Sequence, residues 1–229
     1  MSTGAAKPVI VAWSGGKDAA CALERLRADP AWRVAGIVTT VTAGYERIAI
    51  HGVRCSLLHM QAARLELPLY EAQIPPQATN EQYETSFAHA LARARAQEPL
   101  LESIAFGDLF LADVRAYREA LLARLGWRGV YPLWGEDTAR LARDLIARGY
   151  RAVLTCVDTQ QLDADFCGRE YDAALLGALP PTCDPCGENG EFHTLVYAGP
   201  LWKKPIALTR GERVLRDERF QYIDLIECE

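Results

Sequence analysis

The chain is expected to fold as an α/β protein built on a doubly wound parallel sheet, with a smaller C-terminal α+β region behind it. Three observations carry this. Apolar runs of strand length alternate with amphipathic stretches of helical spacing as far as Val157. The first such run ends in Gly15-Gly16 and passes at once into a helical pattern. Beyond Pro180-Pro181 the texture turns to Gly, Pro and short β-rich runs. Alternation of this kind implies parallel strands, because each parallel return needs a crossover and the crossovers bury both faces of the sheet.

The elements follow in order. Residues 9–13 are an unbroken apolar run, the mark of a strand buried on both faces. Ala19, Ala20, Leu23 and Leu26, spaced by three and four, give the next helix its apolar stripe, and Asp29-Pro30 ends it. A strand at 34–40, a helix at 56–65, a strand at 69–74, a long helix at 81–98 and a strand at 103–106 repeat the alternation. A helix at 114–125 is closed by Gly126, another at 138–148 by Gly149, and 152–157 is a strand. Strands are then expected at 192–197, 206–209, 214–220 and 222–226. The division falls near Pro132, separating 1–131 from 132–229, and a cleft between the two parts is the natural site.

Composition narrows the class. With 229 residues, 50% hydrophobic, 24% charged and 9% aromatic, the chain is neither disordered, collagenous nor a disulfide scaffold. A net charge of -5 argues against nucleic-acid affinity, which needs an excess of Lys and Arg against phosphates. The first residues lack the apolar run of a secretory signal, and nowhere do about 18 uncharged apolar residues follow one another. A soluble, cytoplasmic protein with no membrane partner is expected, and seven scattered cysteines fit reduced thiols.

The strongest chemical signal is Ser14-Gly15-Gly16-Lys17-Asp18, placed where the first strand gives way to the first helix. Two glycines let backbone N–H groups approach phosphate oxygens, the helix N-terminus adds positive potential, and Lys17 supplies a full charge. Ser14 can donate a hydrogen bond, and Asp18 can either hold Mg²⁺ or cap the helix. Neither the P-loop spacing nor GxGxxG is present. The bland reading is a Gly-Gly turn with a capping Asp.

SGGKD after a buried first strand resembles the phosphate motif of the N-type ATP pyrophosphatases. With FGDLFLADVRAYR at 106–118, PLW at 132–134 and DPCGENGEFHT at 184–194, the chain resembles the diphthine–ammonia ligase family from about residue 9 to 202. The resemblance implies an adenine nucleotide alpha hydrolase-like fold and ATP-dependent adenylation of a carboxylate. Ammonia then attacks, giving an amide, AMP and pyrophosphate. ATP and Mg²⁺ are the implied cofactors. The implied partners are ATP, ammonia, an unidentified carboxylate on a small molecule or protein side chain, and a second copy of the chain in a homodimer. The family pattern continues SGGKDS, whereas Ala19 removes that second hydroxyl. Two other readings stand beside it: an ATP- or AMP-binding module without catalysis, and a tRNA-modifying ATP pyrophosphatase, which the net charge opposes.

Gly107-Asp108 follows a strand and so sits at the edge where open α/β sheets bind ligands. Asp108 either faces the nucleotide, with Asp113 and Arg115, or caps the next helix. Arg115 and Arg118 read as solvated helix charges, and the resemblance alone turns Arg115 toward the nucleotide. In the 187–194 loop, Gly187, Asn189 and Gly190 are the candidate substrate contacts, and Glu188, Glu191 and His193 the candidate catalytic groups. The alternative is a polar turn before a strand. This loop is expected on the wall of the cleft opposite SGGKD. Cys183 and Cys186 have zinc-knuckle spacing but lack two further partners. His51, beside Gly52, is either a cleft residue or a structural one; Trp13 and Trp134 are core or cleft wall.

Overall fold

The structure, a computed structural model, describes residues 5–44, 47–48 and 52–228. In chain order the elements are β1 (Lys7–Ala12), α1 (Lys17–Ala28), β2 (Trp32–Thr42), β3 (Arg47–Ile48), α2 (Cys55–Leu65), β4 (Leu69–Ile74), α3 (Asn80–Gln97), β5 (Ser103–Ala105) and α4 (Ala112–Leu125). They continue with β6 (Arg128–Val130), α5 (Thr138–Ala147), β7 (Arg151–Asp158), α6 (Ala173–Ala178), β8 (Phe192–Ala198), β9 (Leu208–Arg216) and β10 (Phe220–Glu227). The doubly wound α/β expectation holds. Strands β4, β2, β1, β5 and β6 lie side by side and all parallel, with β3 added antiparallel to the end of β2. The C-terminal part forms a separate antiparallel sheet in the order β8-β7-β10-β9.

Sequence order in the parallel sheet reverses at β1. The chain runs outward through β2 to β4, then returns to pair β5 with β1 on the other side. The carboxyl ends of β1 and β5 therefore diverge onto a crevice, the place where such sheets take ligands. Central position explains the apolar run: Val9, Ile10 and Val11 are fully buried, each worth about 1.5–3 kcal/mol of burial. Ile10 packs with Val38, Phe87, Ile104 and Phe106 under α3 and α4. Val9 and Val11 face a second core that continues without a break through Leu23, Leu57, Leu141, Val153, Leu195 and Ile223. That core joins the parallel sheet to the antiparallel one.

Several boundaries differ from expectation. The strand expected at 214–220 is broken by a turn at which Asp217 and Glu218 adopt φ of 52° and 51°, so β9 ends at Arg216 and β10 begins at Phe220. The turn falls within four consecutive charged residues, Arg216-Asp217-Glu218-Arg219, a break in the apolar pattern that the expected strand runs across. Short β3, β6 and α6 lie outside the expected elements. Helix α4 starts at Ala112, two residues earlier than the apolar stripe suggests. Gly126 closes it in the left-handed conformation, as its type implies.

Candidate active site

The phosphate-type loop leaves β1 at Ala12 and enters α1 at Lys17. Its shape is set by contacts from far along the chain. Gly15, at φ 78°, turns its carbonyl to the Val196 amide of β8 (2.9 Å) and to the Gln61 amide nitrogen (3.1 Å). Gln61 is fully buried on α2 and also donates to the Val196 carbonyl (2.7 Å) while accepting from the Trp13 indole (2.9 Å). The Thr194 hydroxyl accepts from the Lys17 amide at 3.2 Å. Ser14 Oγ accepts from the Gly16 amide at 3.3 Å.

Lys17 is buried, and its Nζ donates to Asp18 Oδ2 at 2.8 Å and to the Cys186 carbonyl. It also sits 5.5 Å from the ring centroids of Tyr171 and Phe192. Burial opposes its charge, but the Asp18 carboxylate beside it more than offsets this, and its pKa is raised. Asp18 is pushed up by burial against the pull of Lys17. Its Oδ1 is buried with no hydrogen-bond partner, and the α1 N-cap is Gly16 without a side-chain cap. Asp18 therefore does not cap the helix, and one oxygen is left unused at the crevice.

Across the crevice, Gly107 brings the β5–α4 loop against α1: a Cβ there would stand 2.7 Å from the Asp18 carbonyl carbon and 2.9 Å from the Ala19 nitrogen. Asp108 does not cap α4, whose N-cap is Leu111. It forms an ion pair with Arg118, at 2.8 Å from Nε to Oδ2 and 3.2 Å from Nη2 to Oδ1. Burial raises its pKa against the pull of Arg118. The Arg118 guanidinium lies 4.3 Å over the Phe106 ring.

The 184–194 loop is not on a separate wall; it reaches into the phosphate-type loop through Cys186 and Thr194. Asp184 organises it, with Oδ2 accepting from the amides of Cys186 and Glu188, both at 3.0 Å. Gly187, at φ 70°, would place a Cβ 2.8 Å from the Phe192 carbonyl. Glu188 Oε1 accepts from the amides of Leu109 (2.7 Å) and Phe110 (3.4 Å), and burial pushes its pKa up to about 7. Glu191 is buried, its Oε1 accepting from the Asp184 amide (2.8 Å) and from Asn189 Nδ2 (3.0 Å). Burial, and then the charge of Lys17, lower the His193 pKa to about 4, so its imidazole is neutral at ordinary pH.

The result is a cleft of about 380 Å³. Of the residues singled out in the sequence, Ser14, Gly16, Lys17, Asp18, Gly107, Asp108, Gly187, Glu188, Gly190 and His193 line it. Gly15, Asn189 and Glu191 shape the loops without lining it. Arg115 is not on the wall: it pairs with Glu119 at 2.7 Å and lies 4.5 and 4.6 Å over Tyr131 and Trp134. His51 falls outside the described residues. Sequence reasoning missed Arg118, Gln61, Asp184 and Thr39, whose buried Oγ1 on the cleft wall has no hydrogen-bond partner. Gln61 had a signal: it interrupts the apolar stripe Leu57, Leu58, Ala62, Leu65 of α2. Cys183 and Cys186 are buried thiols pushed up to about 12 by burial, with Cys186 directed at the Thr138 carbonyl (3.4 Å). Among the described residues, no three His, Cys, Asp or Glu side chains cluster as a metal site, and no helix is long and apolar enough to cross a membrane.

The arrangement offers a buried cation, a helix N-terminus and close-approaching glycine backbone for an anion, with a neutral imidazole a short way along the same wall. Comparison with known families gives two matches: the Diphthamide synthase N-terminal domain over residues 7–129 and the Diphthamide synthase C-terminal domain over residues 137–225. The chain is 29% identical over 171 residues to the diphthine–ammonia ligase of Schizosaccharomyces pombe, which covers 69% of this chain but 28% of that protein. It is 24% identical over 188 residues to that of Rattus norvegicus (75% and 67% covered) and 27% identical over 127 residues to that of Danio rerio (53% and 50%).

Proposed function

The chain belongs to the diphthamide synthase family, and from that premise we propose that it is an ATP-dependent ligase that adenylates a carboxylate and amidates it with ammonia, releasing AMP and pyrophosphate. Because the chain spans only 28% of the fission-yeast relative, the activity is argued from its own residues. The observation that carries it is the buried Lys17 ammonium at the start of α1, in the crevice where strand order reverses. In this reading Lys17, Gly16 and the α1 N-terminus hold the triphosphate and then the departing pyrophosphate. The Thr39 hydroxyl supplies a polar contact to the nucleotide. Asp18 Oδ1, buried and unpartnered, is the oxygen suited to a Mg²⁺ ion, which when bound would offset phosphate charge.

His193 is the candidate base. It lines the cleft, and with a pKa near 4 its imidazole is neutral at ordinary pH, the form a base needs in order to take a proton from the attached ammonia nitrogen. Glu191 and Asn189 hold the loop that presents it. Residues 1–131 are taken as the nucleotide-binding part and 132–229 as the substrate-side part, acting together in the cytoplasm. The test is product analysis with a library of acids plus ammonia. Stoichiometric AMP and pyrophosphate are expected, and ADP with orthophosphate would overturn the assignment.

A further inference from the structure

Glu188 has a contact that a catalytic base would not need. Its Oε1 is committed to two backbone amides, those of Leu109 and Phe110, in the loop between β5 and α4. These amides lie just before the first turn of α4, where the helix dipole favours a carboxylate. On its own side Glu188 is pre-set, because its amide and that of Cys186 are both held by Asp184 Oδ2. Besides the bonds of Thr194 and Val196 to the phosphate-type loop, the C-terminal part grips the parallel-sheet part on both sides of the cleft: the Cys186 carbonyl takes the Lys17 ammonium, and Glu188 takes the Leu109 loop. That loop carries Asp108 and is pinned from below by the close approach of Gly107 to α1.

We propose that Glu188 is a clasp: its carboxylate holds the β5–α4 loop against the 184–194 loop and so sets the position of Asp108 and the width of the cleft. It is a positioning residue, and the proton chemistry lies elsewhere on the wall. The proposal rests on the ligase reading only for its kinetic consequences. Geometry alone carries the clasp.

Amide exchange at Leu109 and Phe110 in the full chain tests it without substrate. Glu188→Ala is expected to speed exchange at Leu109 by about tenfold or more, since the acceptor is gone, while Glu188→Gln, which keeps an acceptor oxygen, stays within about threefold of wild type. Unchanged exchange in Glu188→Ala would overturn the clasp. In turnover, Glu188→Ala should raise KM for ATP by about tenfold with a smaller change in kcat, and Glu188→Gln should recover most of that loss. If both variants lose kcat about equally with KM unmoved, Glu188 is a base and the proposal fails. If the wild type releases no AMP with any acid, it is the ligase reading that fails. The exchange result still decides the clasp.

Discussion

At Lys17 the cost of burying an ammonium is offset by the Asp18 carboxylate, the Cys186 carbonyl and two aromatic faces, so the charge is kept ready where water is scarce. Lys17→Met, which keeps the stem and removes the charge, should weaken triphosphate binding by about 10–100-fold, from the 1.5–3 kcal/mol of a charge-assisted contact, and leave adenosine binding within about twofold. Titration calorimetry with both ligands checks this, and equal losses would place Lys17 away from the phosphates. His193 makes a pH prediction. Its folded pKa of about 4 lies below the ordinary 6.5, so protons bind the unfolded chain more readily and stability falls as pH drops from 6.5 toward 4. This group should cost about 2 kcal/mol by pH 5, a loss absent in His193→Gln. Urea melts of both proteins at pH 7.5 and pH 5 measure it.

Among the elements, the close approach of α1 to β5 depends on a missing side chain. A methyl at Gly107 would meet the α1 backbone at Asp18 and Ala19, and backbone cannot yield as a flexible side chain can. Gly107→Ala should therefore destabilise by about 1–3 kcal/mol and disturb ATP binding, because the displaced piece is the phosphate-type loop itself. Calorimetric Tm and ATP affinity of the folded variant should fall together; a Tm loss with intact affinity would contradict the linkage. Gln61 ties α2 to β8 and to the turn after β1 through three buried bonds. Gln61→Leu leaves the Trp13 indole N–H without its acceptor and takes one donor from each of the Gly15 and Val196 carbonyls, and should cost about 1–3 kcal/mol in chemical denaturation.

Across the whole molecule, the two sheets share one core. Val9, Val11 and Leu23 belong to the same buried cluster as Leu154, Leu195 and Ile223, and Asp158 of β7 is locked to Arg219 at 2.9 and 2.6 Å beside the β9–β10 turn. A chain cut between 131 and 132 should therefore give two fragments that each expose a large part of this core. Neither fragment is expected to show a cooperative thermal transition alone, and mixing or co-expression should restore one. A cooperative melt of residues 1–131 by themselves would show that the parallel sheet needs no cover from β7 and β8.

Local pattern was enough for the longer strands and helices, the phosphate-type turn and the two loops that meet it, because periodicity, caps and glycine pairs act within a few residues of themselves, but not for the short β3, β6 and α6. The break at Asp217 had a local signal, the four charges of 216–219, but the short apolar runs on either side outweighed it in the strand reading. Pattern could not choose between Arg115 and Arg118: they stand three apart on neighbouring faces of α4, and only the folded position of Tyr131 and Trp134 on one side and Asp108 on the other separates them. Nor could it place Thr194 on the Lys17 amide, 177 residues away, or aim the Glu188 carboxylate at Leu109. The residues of this site are chosen by sequence type, but their partners are brought by strand pairing and by a shared core. Those are long-range contacts, and they exist only once the chain has closed on itself.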